Sequence, residues 1–445
     1  MSLLERLFSK SVPKESLPAI RFGRFSDAFR SEAQYDAWDQ ATSAYDAEDY
    51  LKSFQLFLDY LYNEAEDNVH YQRLEDGRRI EFELYQGSKR ITGEADAAHI
   101  RVEARIARVK ELHIGYLRRL VEQNFDLKYA RYALSEDQHL CLVFDTLALD
   151  SSPYKLYYAF KELAVHADKQ DDLLLDEFES LEPVDNQHII PISEEVKEVK
   201  YQYILQSIQN GLQYLDSDAS PRETEFSGGV AYLLLDLCYR LDFLISPEGY
   251  MTECLERIHR QYFAEDEQSN AQKIQLIKRE FHKLTERSRE DFFKEFYEVR
   301  LSFGITNPVS HAKLQEFIDA ELYHMDWYLE QGYEQVALAI PGYILGYSLF
   351  NYGLQAPIRD LIFLYYRLVE PDYFRGLGFP QDEPLIENGR YHKRHIQRAL
   401  RRIEQRYRGA FPNLYLSGRH LDYETKAGFV RSYLGLIRDL DLNKL

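Results

Sequence analysis

The spacing of hydrophobic positions changes period twice along the chain. From 35 to 64, "YDAWDQATSAYDAEDYLKSFQLFLDYLYNE" sets Trp38, Ala41, Tyr45, Phe54, Leu58 and Leu61 at helical intervals, predicting two helices with a bend near Asp46 to Asp49. The period then becomes two. "NVHYQRL" (68 to 74), "RIEFELYQ" (79 to 86) and "HIRVEARIARV" (99 to 109) read as strands; in the last, Ile100, Val102, Ala104 and Ile106 face one side and Arg101, Glu103 and Arg105 the other. Asp76-Gly77 is a hairpin turn signal, and one wet face with one buried face predicts an antiparallel sheet.

A helix follows in "ELHIGYLRRLVEQNF", with Ile114, Leu117, Leu120 and Val121 as its apolar stripe. Tyr132 and Leu134 then lead into the polar turn "SEDQ". Beyond it Leu140, Leu142 and Phe144 alternate with Cys141 and Val143, predicting a strand that is buried on both faces or central. Ser152 caps a last helix with Pro153 in its first turn, carrying Leu156, Phe160, Leu163, Ala164, Ala167, Leu174 and Phe178.

After Leu181, "EPVDNQHIIPISEEV" reads as a linker, and the remainder is helical almost throughout. Helices are predicted near 194 to 216, 227 to 245, 247 to 264, 268 to 302, 308 to 332, 334 to 351, 355 to 368, 390 to 408 and 422 to 439, with Pro308 and Pro357 in first-turn positions. The fold class is α+β. An N-terminal antiparallel-sheet domain (helix, three strands, helix, two strands, helix) precedes an all-α domain. The implied boundaries are a tail over 1–34, the sheet domain over 35–181, a linker over 182–194 and the helical domain over 195–445.

Trp38, Tyr45 and Tyr50 fall near tetratricopeptide positions, but no second copy follows, so an ordinary helical hairpin is the better reading. The order of elements from about 50 to 180 carries a more extensive resemblance. Together with the leucine-rich helix ending in Asn124, the hairpin with an acidic turn, the helix start at Asp150 to Pro153 and the run "LAVHADKQDDLL", it resembles the type III secretion chaperone-like fold shared by Tir-type chaperones and YbjN-like proteins. That resemblance implies a sheet and helices forming a protein-binding surface or a dimer interface, with no active site. The helical half resembles no family.

Composition narrows the setting. The 445 residues are 45% hydrophobic and 29% charged, enough to bury real cores. The 74 acidic side chains against 54 basic ones give a formal charge of −20, which disfavours nucleic acid and anionic lipid. Cys141, Cys238 and Cys254 have neither disulfide-framework nor zinc spacing, which suggests a reducing, cytoplasmic compartment. "MSLLERLFSKSVPK" has no apolar run of signal-peptide length and reads as a short amphipathic turn or a tail. "VALAIPGYILGYSLF" (336 to 350) is too short for a membrane span and predicts a buried helix.

Candidate chemistry is sparse. Glu256-x-x-His259 and Glu321-x-x-His324 each set a carboxylate and an imidazole on one helix face, the arrangement of di-iron bundles, with Glu295 as a further ligand. A chain with thirteen His and so many Glu produces such pairs by chance, and Arg257 and Arg260 oppose a cation beside His259. The helix over 391–408 is basic: Arg394, Arg398, Arg401 and Arg402 share one face, suited to phosphate or an acidic partner or, more simply, to internal ion pairs. Ser227-Gly228-Gly229 begins a helix without any phosphate-loop or nucleophile pattern, and His166, Asp168, Asp171 and Asp172 read as a polar helix face.

No catalytic, cofactor-binding or metal residue is therefore nominated, and no cofactor is expected. The leading expectation is a non-enzymatic protein-binding or chaperone-like adaptor whose partner is another protein, with no membrane, no nucleic acid and a homodimer as one option. The alternatives are a metal-dependent oxidoreductase on Glu256, His259, Glu321 and His324, or a binder of acidic or phosphate partners through the basic helix.

Overall fold

A computed structural model describes residues 17–23, 29–74, 77–223 and 225–443. The start read as an amphipathic turn or tail, and Asp76 of the predicted hairpin turn, lie outside these residues.

The α+β class holds, with more strand than the hydrophobic pattern indicates. A capping box between Ser31 and Gln34 starts helix α1 (Glu32–Asp46), and Asp49 caps α2 (Tyr50–Leu61), forming the expected helical hairpin. Four strands follow rather than three: β1 (Val69–Leu74), β2 (Arg79–Gln86), β3 (Lys89–Ala95) and β4 (His99–Val109). Then come α3 (Ile114–Asn124), β5 (Arg131–Leu134), β6 (His139–Leu147) and α4 (Pro153–Glu177). All pairings are antiparallel, in the order β1-β2-β3-β4-β6-β5. The supposed linker begins as a seventh strand, β7 (Leu181–Pro183), pairing with β4 in the register Val109↔Leu181. In line with that reading, β6 is interior to the sheet and buried on both faces, Cys141 and Val143 lying opposite the face of Leu142 and also buried.

The additional strand, β3, contains Gly93 and follows a two-residue turn at Gly87-Ser88, so its sequence looks like loop. Gly93 is there for packing. A Cβ at this position would stand 2.4 Å from the Arg101 carbonyl and 2.5 Å from the Phe82 ring, so only glycine lets Phe82 cross the sheet. Phe82 stacks on Phe160 of α4, with ring centroids 5.7 Å apart. Phe54, Phe57 and Phe144 complete the aromatic centre of the sheet-domain core.

The second half packs α5 (Glu194–Leu215), α6 (Ser227–Ile245), α7 (Gly249–Phe263), α8 (Asn270–Glu286), α9 (Arg289–Glu295), α10 (His311–Glu330), α11 (Glu334–Asn351), α12 (Ala356–Val369), α13 (Pro371–Gly376), α14 (Lys393–Tyr407) and α15 (Lys426–Arg438). Helices α6 and α11 form its centre. They approach closely because Gly346 faces Tyr239, whose Cβ would lie 2.6 Å from an added methyl. The apolar stretch 336 to 350 is the buried helix α11, and among the described residues no helix is long and apolar enough to cross a membrane.

Three expectations change here. The helix predicted over 268 to 302 is two, α8 and α9, because Ser288 caps a new start by accepting the Asp291 N–H. From Phe296 the chain leaves the helical half in extended form. Pro308 sits in a short parallel pairing with Tyr352–Gly353, and α10 begins later, capped by Ser310. Part of the supposed tail is also structured: Leu17, Ile20 and Phe22 pack on the helical core, where Phe22 meets Phe363 and Phe374.

Candidate functional site

Helix α3 presents apolar side chains to two sides. Tyr116 and Leu120 face the sheet core and are fully or almost fully buried. Ile114 (81% exposed), Val121 (69%) and Phe125 (95%) lie at helical spacing on the opposite side, beside Leu112 (59%). The single stripe read from the sequence is thus divided, with Leu120 inward, Leu117 half-buried, and Ile114 and Val121 in water. The helix is held in this orientation by Tyr116, whose hydroxyl donates to the Glu111 carbonyl at 2.8 Å, by Gln123 on Gln170, and by an Arg119–Glu177 ion pair. Apolar groups of this size left in water on an anchored helix form a surface suited to association.

A second feature is the extended segment that follows α9. Val299, Leu301 and Phe303 point inward, and Phe303 is 1% exposed, within the core of the sheet domain rather than of its own half. Its backbone is bound by sheet-domain side chains. The Gln86 Oε1 accepts the Phe303 N–H at 2.8 Å and the Ser302 N–H at 3.1 Å, while Gln86 Nε2 donates to the Phe303 carbonyl at 3.2 Å. The Ser302 hydroxyl donates to the Tyr85 carbonyl at 2.8 Å and accepts from Asn68 Nδ2 at 2.9 Å; Arg30 reaches the Ser302 carbonyl. The Gly87 N–H donates to the Arg300 carbonyl at 2.9 Å in an isolated antiparallel bridge.

Beside this segment lies a cavity of about 80 Å³ between α4 and α7, bordered by Gln86, Asp168, Asp172, Glu248, Thr252 and Phe303. The acids of α4 are not a solvated face. Lys89 Nζ lies 2.7 Å from Asp171 Oδ2, which also accepts from the Ser88 hydroxyl at 2.6 Å, and Asp168 accepts the Ser88 N–H at 2.8 Å. The Tyr297 hydroxyl donates to Asp172 at 3.0 Å. Burial, reinforced by Asp171 and Asp168, pushes the Asp172 carboxyl well above the ordinary range. His166 is half-buried on the same helix, and burial lowers its pKa.

The four residues with metal-ligand spacing meet other side chains. Glu256 meets Lys169 at 2.8 Å and Arg260 at 3.4 Å, and His259 Nδ1 is 2.8 Å from the Tyr239 hydroxyl. Glu321 accepts from the Tyr232 hydroxyl, while the His324 ring lies 6.3 Å from that of Tyr232. Glu295 pairs with Arg287. Among the described residues no group of three or more His, Cys, Asp or Glu is placed to hold a metal ion. The Cys141 and Cys254 thiols are pushed up to about 12 by burial, leaving little thiolate for nucleophilic chemistry near neutral pH.

On α14, Ile396, Leu400 and Ile403 face inward. Arg398 and Arg402 both reach Glu383, and Arg406 pairs with Asp360 at 2.6 Å. Arg394 and Arg401 stand exposed. The basic face therefore combines internally paired and outward-pointing members.

The helix expected over 268 to 302 conceals the docking of 299–303. A signal was present: apolar Val299, Leu301 and Phe303 alternate with Glu298, Arg300 and Ser302, and Gly304 and Pro308 follow. No protein-family model matches the chain, and no curated protein matches it in sequence.

Proposed function

We propose that the protein is a non-enzymatic, protein-binding adaptor of the type III secretion chaperone-like kind, acting in the cytoplasm through its sheet domain. The observation that carries this reading is the outer face of α3, where Ile114, Val121 and Phe125 are exposed on a helix whose inner face is fixed to the core. Burying a large aliphatic or aromatic side chain contributes about 1.5–3 kcal/mol, so three adjacent ones supply a substantial share of a specific association. The occupant of this face is another protein or, in a homodimer, a second copy of the chain.

The test is affinity capture by the full chain and by a Val121→Glu/Phe125→Glu variant, paired with sedimentation of each. A stoichiometric partner, or a dimer, held by the native chain and weakened at least tenfold in the variant supports the reading. Retention of the same partners and the same mass by a variant with unchanged melting temperature overturns it.

A further inference from the structure

The segment 300–304 is bound to the sheet domain in the way a peptide ligand is bound. Both backbone hydrogen-bonding groups of Phe303 are taken by one side-chain amide, that of Gln86, and both those of Ser302 are taken by Gln86 and Arg30. The Ser302 hydroxyl is read by a donor, Asn68, and by an acceptor, the Tyr85 carbonyl. The Phe303 ring fills a pocket in a core that otherwise belongs to residues before 182, with Tyr157 at 5.7 Å between centroids. Extended backbone held by hydrogen bonds, with alternate side chains in pockets, is how folded domains recognise linear segments of other chains.

Three features distinguish this from ordinary interdomain packing. Gln86 is buried, and its three side-chain hydrogen bonds all go to Ser302 and Phe303, so without an occupant its amide would lack these partners. The occupant lies in a connection without helix between Glu295 and His311, longer than most connections in compact domains, and such loops tend to be functional. The segment borders the cavity between α4 and α7, which is lined in part by Asp168, Asp172 and Glu248, unlike the closed packing of α6 on α11.

We infer that residues 300–304 are a resident pseudo-ligand in a peptide-binding groove of the sheet domain, and that a partner protein carrying an extended apolar-Ser-Phe-Gly segment binds by displacing them. This rests on the protein-binding reading but uses residues other than those of the outer face of α3. The groove selects for a phenylalanine in the buried pocket, a small hydroxyl residue before it and free backbone N–H groups at both positions, so proline at either is rejected.

Two measurements on the full chain decide it. In native-state hydrogen exchange, the amides of Leu301, Ser302 and Phe303 exchange at least a hundredfold faster than those of Val102 and Ala104, because the segment opens while the sheet remains closed. In fluorescence anisotropy, a labelled peptide of sequence EVRLSFGIT binds a Phe303→Ala chain at least tenfold more tightly than the native chain, and adding Gln86→Ala removes the gain. Where Phe303→Ala does not fold, Ser302→Ala, which keeps the ring anchor, replaces it. Segment amides as protected as those of the sheet, or a folded variant that does not bind the peptide, overturn the proposal. Val121→Glu/Phe125→Glu leaves peptide binding intact, so failure of the outer face of α3 as a docking surface and failure of the groove are read separately.

Discussion

Lys89 and Asp171 form an ion pair at 2.7 Å with side-chain exposures of 0% and 2%, joining the start of β3 to the middle of α4. The ammonium also donates to the Ile106 carbonyl at 3.2 Å and Asp171 Oδ2 accepts from Ser88, while the buried Asp171 Oδ1 has no hydrogen-bond partner among the described residues. Removing one partner from such a pair strands a charge out of water, which costs about 3–5 kcal/mol, whereas removing both costs far less. Lys89→Met is expected to lower unfolding free energy in urea by that amount, and Lys89→Met/Asp171→Leu to recover most of it.

Lys200 presents the opposite case, a buried ammonium whose Nζ donates to the Ile245 carbonyl at 2.8 Å. Burial lowers its pKa from 10.5 to about 8, against the milder opposing pull of Glu298 and Glu248. Between those values the unfolded chain binds the proton and the folded chain does not, so stability rises as pH increases from about 8 towards 10.5. At pH 7 the charged form is held in the fold at a cost on the order of 3 kcal/mol. Lys200→Met is expected to abolish the alkaline rise and to stabilise the protein at pH 7, both read from urea unfolding across pH.

Elements bounded by caps or by abrupt changes in polarity were legible, as at 227 to 245 and 334 to 351, where the helices match the pattern residue for residue. Strand β3 was hidden because Gly87 and Gly93 act as breakers in isolation, and their purpose appears only once Phe82 and Asp168 are in place beside them. The run after Lys294 was hidden for a different reason: a helical pattern was extended over residues whose period is two, since the groove that stabilises the extended form lies more than 200 residues away in sequence. On α3 the stripe of Ile114, Leu117, Leu120 and Val121 omits Tyr116, whose ring is fully buried beside Leu120, so the face that meets the core is rotated away from Ile114 and Val121.

Gly87 provides a sharp test of the turn between β2 and β3. Its φ is +57°, and a Cβ there would lie 1.7 Å from the Asp168 carboxylate. Gly87→Ala therefore combines left-handed backbone strain of about 1–2 kcal/mol with displacement of the carboxylate that accepts the Ser88 N–H. A loss of at least that size in urea is expected. Asp168→Ala in the same background is expected to return part of it, because the strain remains but the clash is gone.

Leu120 and Val121 are adjacent on α3 and are expected to behave oppositely. Leu120 is 4% exposed and packs into the core with Tyr116, so Leu120→Ala removes buried methyl groups and leaves a cavity, costing about 2–5 kcal/mol. Val121 is 69% exposed, and Val121→Ala should change stability by no more than about 0.5 kcal/mol. Association reverses the ranking: with enough denaturation margin for both variants to stay folded, Val121→Ala weakens partner or self-association and Leu120→Ala does not. Thermal unfolding and sedimentation of the two single variants give the four values needed. Equal destabilisation by both would mean that the outer side of the helix is covered in the free chain, leaving no apolar face there for a partner.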